Sequence, residues 1–210
     1  MRIELEKVGK RFRREWIVRD LNIVIEPGKR YAIEGPNGSG KSTLLRILSG
    51  HLTPSKGKIN FFYQNKPLDV DQVYQHLSFA GPYMELIEEL TLVEALRFHR
   101  RFQSFLPGMD EPQLLDLLSL PGTSSKLIRH FSSGMKQRLK LALAICSDTS
   151  LLLLDEPTTN LDRQGTDWYL QLIESFGRDR TIIVASNVAV DFGFCDERVD
   201  ILAYKKKPVR

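Results

Sequence analysis

Nine consecutive residues, Gly35-Pro36-Asn37-Gly38-Ser39-Gly40-Lys41-Ser42-Thr43, restrict this chain more than any other stretch. A short strand candidate, Arg30 to Glu34, precedes them, and Leu44, Leu45, Ile47 and Leu48 follow at the spacing of one buried helix side. Strand, glycine-rich turn and helix in that order make the phosphate-binding pattern. Successive backbone N–H groups converge on an anion only where side chains stand clear, which is the use of Gly35, Gly38 and Gly40. The same turn delivers phosphate to a helix N-terminus. Lys41 then reaches the β and γ phosphates and the Ser42 hydroxyl ligates magnesium, so the expected ligand is ATP with Mg2+.

A second element, residues 151–156, reads Leu-Leu-Leu-Leu-Asp-Glu. Four leucines bury a strand on both faces, so Asp155 and Glu156 emerge at its C-terminal end, where open α/β sheets place ligands. Asp155 is expected at the metal, holding one of its waters. Glu156 is expected to polarise the water that attacks the γ-phosphate.

Short apolar runs and helical patterns alternate through much of the chain. Strands are expected at 3–8, 17–25, 30–34, 58–63, 150–154 and 181–185, and helices at 42–49, 91–102, 111–118, 134–146 and 162–176. In the helix at 91–102, Leu92, Ala95, Leu96 and Phe98 are expected to face inward. The pattern predicts an α/β fold with a parallel-rich sheet covered on both faces, as one domain over 1–210 with a mainly helical subdomain over about 82–145.

Composition excludes several classes. The chain has 210 residues, with 30 basic against 26 acidic, a mixed charge that does not point to a specific nucleic-acid partner. No segment approaches the ~18 unbroken apolar residues of a membrane span. The start, Met-Arg-Ile-Glu-Leu-Glu, enters a strand pattern without a leader, so no export is expected. Two unclustered cysteines, Cys146 and Cys195, fit a reduced, cytoplasmic chain. The basic run Lys205, Lys206, Lys207 and Arg210 reads as a solvated end or as a contact for an anionic surface.

With these motifs in place, the chain resembles the ATP-binding cassette family, the nucleotide-binding subunits of ABC transporters. The likeness runs from Arg2 to about Tyr204 and rests on motif order. The P-loop is followed by Phe131-Ser132-Ser133-Gly134-Met135-Lys136-Gln137-Arg138, then by Asp155 and Glu156, then by Thr159-Asn160-Leu161-Asp162. The resemblance implies a P-loop NTPase domain of the ABC type. It also implies a homodimer or related heterodimer sandwiching two ATP molecules, with Ser132, Ser133, Gly134 and Met135 of one subunit facing the γ-phosphate held by the other. Asn160 and Asp162 then lie in a loop that communicates between the sites. Phe12 stands where the family places a ring on adenine, with Trp16 nearby, and a core position remains the other reading of either ring.

Three departures from the family pattern stand out. Ser133 and Met135 occupy positions of a glycine and a glutamine, and a thioether cannot replace an amide's hydrogen bonds. Pro82 falls at a glutamine that touches magnesium, with Glu85 as a polar substitute if the alignment slips, or water completing the metal shell. Tyr83, Met84 and Leu86 nearby read either as anchors for another subunit's coupling helix or as buried positions. Asn187 replaces a histidine after the strand at 181–185; it can donate to the γ-phosphate but cannot titrate. The resemblance implies an ATPase coupled to a separate transmembrane permease subunit, peripheral on the cytoplasmic face. Its alternatives are a soluble cassette ATPase of complex assembly and a weakly catalytic, ATP-driven dimerisation module.

Overall fold

A computed structural model of the chain describes residues 1–205. Nine strands and five α-helices are present among them: β1 (Arg2–Phe12), β2 (Glu15–Ile25), β3 (Arg30–Glu34), α1 (Lys41–Leu48), β4 (Lys56–Tyr63), β5 (Lys66–Leu68), β6 (Leu77–Ala80), α2 (Leu92–Arg100), α3 (Glu111–Leu118), α4 (Ser133–Ile145), β7 (Leu151–Asp155), α5 (Arg163–Phe176), β8 (Thr181–Ser186) and β9 (Glu197–Asp200).

The strands form two sheets. The first is antiparallel, in the order β2-β1-β4-β5, and the second is parallel, in the order β6-β7-β8-β3-β9. The sequence pattern foretold the parallel sheet and its strands β3, β7 and β8, but not the separate antiparallel layer. Strands β5, β6 and β9 are three or four residues long, too short to show a period of two.

The parallel sheet divides two cores, and β7 shows how. Leu151 and Leu153 point into a core with α1 and the antiparallel sheet, where Ile3, Leu21, Leu44 and Ile47 lie. Leu152 and Leu154 point to the other face, among Leu139, Leu141, Tyr169 and Leu172. All four leucines are fully buried, each worth roughly 1.5–3 kcal/mol relative to exposure.

Between β6 and β7 in sequence come α2, α3 and α4, the helical part of the fold. Caps set their starts. Thr91 and Glu94 form a capping box on α2, and Asp110 and Gln113 form another on α3. Thr91 is therefore the cap and not the first helical residue. Leu92, Ala95 and Leu96 are buried as expected, whereas Phe98 is exposed and packs on Phe102, with ring centroids 5.0 Å apart. The correction has a plain cause: at about 100° per residue Phe98 lies a further ~60° round the helix from Ala95, outside the stripe of Leu92, Ala95 and Leu96, on a side the fold leaves exposed. Among the described residues, no helix is long and apolar enough to cross a membrane.

Candidate nucleotide site

The sheet order brings three chain segments to one edge. In the parallel sheet β8 lies between β7 and β3, and the register sets Asp155 opposite Ala185 and Glu34 opposite Ser186. The turn after β3, the acids at the end of β7 and the Ser186-Asn187 turn after β8 thus leave the sheet side by side at its C-terminal edge. Parallel strands produce such a crevice because their carboxyl ends all point one way.

The glycine-rich turn closes tightly, with the Ser39 N–H donating to the Pro36 carbonyl at 3.1 Å. Gly40 has φ 107°, and a β-carbon there would lie 2.4 Å from Ile17 Cγ2, so both conformation and space require glycine. The N-terminus of α1 differs from the other four. Side chains of Thr91, Asp110, Ser132 and Asp162 cap α2, α3, α4 and α5, but no side chain caps α1. Its first N–H groups remain available for an anion.

Lys41 is 4% exposed, and its ammonium folds back onto the Gly35 carbonyl at 2.8 Å and the Pro36 carbonyl at 3.3 Å. Asp155 is buried close to Lys41 and Ser42, and its Oδ1 has no partner. Burial raises the Asp155 carboxyl above its ordinary pKa; the Ser42 hydroxyl, Lys41 and Arg46 oppose that rise and Glu156 adds to it. A buried carboxylate oxygen without a donor, next to a hydroxyl and an ammonium, is a donor set suited to a hard cation and a polyphosphate. The residues present therefore fit magnesium with ATP.

These groups line a cleft of about 370 Å³ formed by Ile17, residues 37–43, Pro82, Tyr83, Asp155 and Glu156. Glu156 has φ 47°, an uncommon backbone state for a residue with a side chain. Its N–H donates to the Ala185 carbonyl at 2.8 Å, and its carbonyl accepts from the Thr159 N–H at 3.1 Å. Asn187 is exposed just beyond β8.

Other expected residues lie apart. Phe12 ends β1, half-exposed, with the Lys10 ammonium 5.3 Å from its ring, and does not line the cleft. Trp16 packs against Gly9 and between Arg11 and Arg19. Ser132, Gly134, Met135, Asn160 and Asp162 line a second cleft of about 330 Å³, which shares no lining residue with the first. Ser133 is the first residue of α4 there. Ser132 Oγ and Asp162 Oδ1 both act as helix caps, accepting from Met135 N at 3.2 Å and Gly165 N at 2.7 Å.

In the loop after β6, Pro82 and Tyr83 reach the nucleotide cleft, whereas Glu85 lines two other grooves. Tyr83 and Met84 are exposed, which sets aside the buried reading of those two. Arg46 of α1 lies 4.9 Å from the Tyr83 ring centroid. Met84 and Leu86 line a groove of about 500 Å³ shared with His99, Phe102 and Leu143. Lys205 donates to the Gly38 carbonyl at 3.3 Å, while Lys206, Lys207 and Arg210 lie outside the described residues.

Sequence reasoning gave no individual site role to Ile17, Gln137 or Asp191, and read Tyr83 as a coupling anchor or a buried position, not as part of the nucleotide cleft. Gln137 sits within the stretch 131–138, and its amide donates to the Pro157 carbonyl at 2.8 Å, tying α4 to the turn after Glu156. Ile17 had a signal only as one member of an alternating run, and nothing in its local sequence marks Asp191.

A family model described as ABC transporter matches residues 18–159. The Nod factor export ATP-binding protein I of Cupriavidus pinatubonensis is 30% identical over 88% of this chain, which spans 58% of that relative's length. The lantibiotic transport ATP-binding protein SrtF of Streptococcus pyogenes is 32% identical over 89% of this chain and 80% of its own length. A solved dimeric, post-hydrolysis state of an ATP-binding cassette bound to ADP and Pi has the same fold, with a TM-score of 0.78 at 23% identity, covering 95% of this chain and 94% of that one.

Proposed function

The chain belongs to the ABC transporter family, and from that premise we propose that it is a subunit that hydrolyses ATP and works with a separate membrane-spanning partner. One observation carries the reading: three adjacent parallel strands end level, presenting an uncapped helix N-terminus, a buried unpartnered carboxylate oxygen and a second acid to one cleft.

In this reading Lys41 turns from its own loop carbonyls to the β and γ phosphates, exchanging two neutral acceptors for charged ones. The N–H groups of residues 38–43 and the start of α1 hold the phosphates in place. Ser42 and Asp155 hold magnesium, which neutralises charge on the phosphates. Glu156 orients and deprotonates the attacking water. Asn187 donates a hydrogen bond to the γ-phosphate, and Ile17 covers the nucleoside side of the cleft, while Phe12 would have to swing in from the β1–β2 hairpin to stack on adenine.

The second cleft supports a dimer. Since Ser132, Ser133, Gly134 and Met135 share no surface with the P-loop cleft of the same chain, their route to a γ-phosphate is through a second copy or a related chain. Asn160 and Asp162 border the same cleft and would sense its closure. The groove containing Met84, Leu86 and Phe102 supports docking of a helix from the membrane partner, which would hold this chain on the cytoplasmic face.

The test is steady-state phosphate release by the purified chain, with Glu156→Gln and Lys41→Ala beside it. Glu156→Gln keeps MgATP binding and loses turnover by roughly 10²–10⁴-fold, the range of one positioned general base. Lys41→Ala weakens MgATP binding by about 10–100-fold, as loss of a charged hydrogen bond does. Turnover in Glu156→Gln equal to that of the wild-type chain would overturn the assignment. Co-purification of a multi-span protein from solubilised membranes supports coupling to transport, and recovery only with soluble proteins overturns it in favour of an assembly ATPase.

A further inference from the structure

Asp191 carries no role in the chemistry above, yet it is a buried carboxylate held from several sides. It is 1% exposed and has no ion-pair partner among the described residues. Its two oxygens divide between two loops. Oδ1 accepts from the Thr158 hydroxyl at 2.5 Å, two residues beyond Glu156, and Oδ2 accepts from the Ser186 hydroxyl, one residue before Asn187. Its backbone is held in turn, because the fully buried Tyr169 of α5 donates its hydroxyl to the Asp191 carbonyl at 2.8 Å. Its own N–H donates to the Val188 carbonyl at 3.0 Å.

A buried carboxylate costs desolvation, and here no cation offsets it. A neutral amide of the same shape would cost less but would keep both ties only by reversing one of them. The Ser186 hydroxyl already accepts from the Val188 N–H at 3.0 Å and spends its proton on Asp191. Ser186 has only its proton left to give, so an amide oxygen must face Ser186 and the amide nitrogen must face Thr158, whose hydroxyl would have to reverse from donor to acceptor. Only a group that accepts on both sides keeps both hydroxyls donating as they do here. The place where rigidity is needed is also evident: Glu156 holds φ 47°, and such a state persists when surrounding bonds over-determine it.

We infer that Asp191 is a positioning residue that fixes the distance between Glu156 and Asn187 by tying the Thr158 turn to the Ser186 turn. The inference rests on the hydrolysis reading. Asp191 does not line the nucleotide cleft and hydrogen-bonds to none of the residues that do, so it sets the geometry of turnover and leaves nucleotide binding alone. A residue serving only the core would lower stability and reduce binding and turnover together.

The experiment measures MgATP affinity by equilibrium dialysis, kcat from phosphate release, and the thermal midpoint, for the full chain and for Asp191→Asn, Ser186→Ala, Thr158→Val and the Asp191→Asn/Ser186→Ala pair. Asp191→Asn keeps the shape, which guards against simple misfolding. The expected result is a kcat lower by about 10–100-fold in Asp191→Asn with affinity within about threefold, the scale of a mispositioned reacting group. The pair is expected to lose no more than Asp191→Asn alone, because both changes cut the same tie. A kcat within twofold of wild type in Asp191→Asn overturns the inference while leaving the hydrolysis reading intact, as does a loss of affinity in step with kcat. An absence of turnover in the wild-type chain overturns the hydrolysis reading itself, and the inference with it.

Discussion

A β-carbon on Gly134 would lie 3.0 Å from the carbonyl oxygen of Asn160. The N-terminal turn of α4 and the turn before α5 therefore touch through the one residue without a side chain, and the second cleft forms along that seam. Asn160 itself has φ 65°, so its carbonyl direction is set by a backbone state with little freedom to adjust. Gly134→Ala pushes the two turns apart by a few tenths of an ångström. If the cleft faces nucleotide held by another copy, that variant keeps monomer affinity for MgATP and loses at least about tenfold in ATP-dependent dimer formation, each tenfold being about 1.4 kcal/mol. Sedimentation velocity of a Glu156→Gln background with MgATP reads it, and a dimer as strong with the Gly134→Ala change as without it contradicts the assignment of the seam.

Asn187 sits exposed after β8, one residue beyond the Ser186 hydroxyl that Asp191 holds. A histidine there reaches further and can carry a proton, which an amide cannot. Asn187→His is expected to raise kcat by about two- to tenfold at pH 7, a part of the gain that one positioned acid or base provides. An unchanged or lower kcat counts against the view that Asn187 slows hydrolysis.

His99 gives the stability a pH dependence of known sign. Its Nε2 lies 2.8 Å from Ser147 Oγ, which donates to the Leu143 carbonyl, so the ring nitrogen is the donor; the ring also stacks on Phe105, with centroids 5.2 Å apart. Burial lowers its pKa from the ordinary 6.5 to about 4. The unfolded chain thus takes up a proton that the folded chain refuses, and stability present above pH 6.5 is lost as pH falls toward 4. The loss is about 3 kcal/mol at 1.36 kcal/mol per unit. Urea unfolding at pH 7 and pH 4.5 checks it: His99→Gln, which keeps a donor for Ser147, is expected to show a smaller drop between the two. Equal drops in both proteins rule the contribution out.

Arg180 lies at the opposite end of β8 from the nucleotide cleft. Buried to 5% exposure, it donates to the Ile145 carbonyl and to the hydroxyls of Ser78 and Thr149, all neutral acceptors. Burial lowers its pKa to about 10, so it stays charged at pH 7. Arg180→Ala strips donors from three groups that water cannot reach and is expected to cost about 2–4 kcal/mol. Calorimetry of the variant reads the lower midpoint, while kcat of the folded fraction stays within about twofold. A kcat loss larger than the stability loss explains would place Arg180 in the catalytic machinery instead.

Much of the site was legible because it is local. Residues 35–43 carry their own turn, their own glycines and their own helix start, and Leu151 to Leu154 bury a strand that must release Asp155 and Glu156 at its end. Spacing along the chain was enough for these, as it was for α3, expected and found at Glu111–Leu118. The limits appear where neighbours decide. Phe98 sits at helical spacing from Leu92 and Ala95 yet faces out, because what covers α2 on that side is not encoded in α2. Strands β5, β6 and β9 exist through their partners: Leu77 to Ala80 becomes a strand by pairing with Leu151 to Leu154.

The sequence by itself determined that this chain carries a phosphate-binding pattern at the end of one strand and two acids at the end of another, since both features depend on residues a few positions apart. Only the tertiary structure decided that β8 lies between those strands, that Pro82 and Tyr83 but not Glu85 reach the cleft, and that Asp191 joins Thr158 to Ser186 across 33 and 5 residues of chain. The physical reason is that backbone geometry and hydrophobic period act over one or two turns, whereas strand order and buried hydrogen bonds are settled by packing between segments distant in sequence.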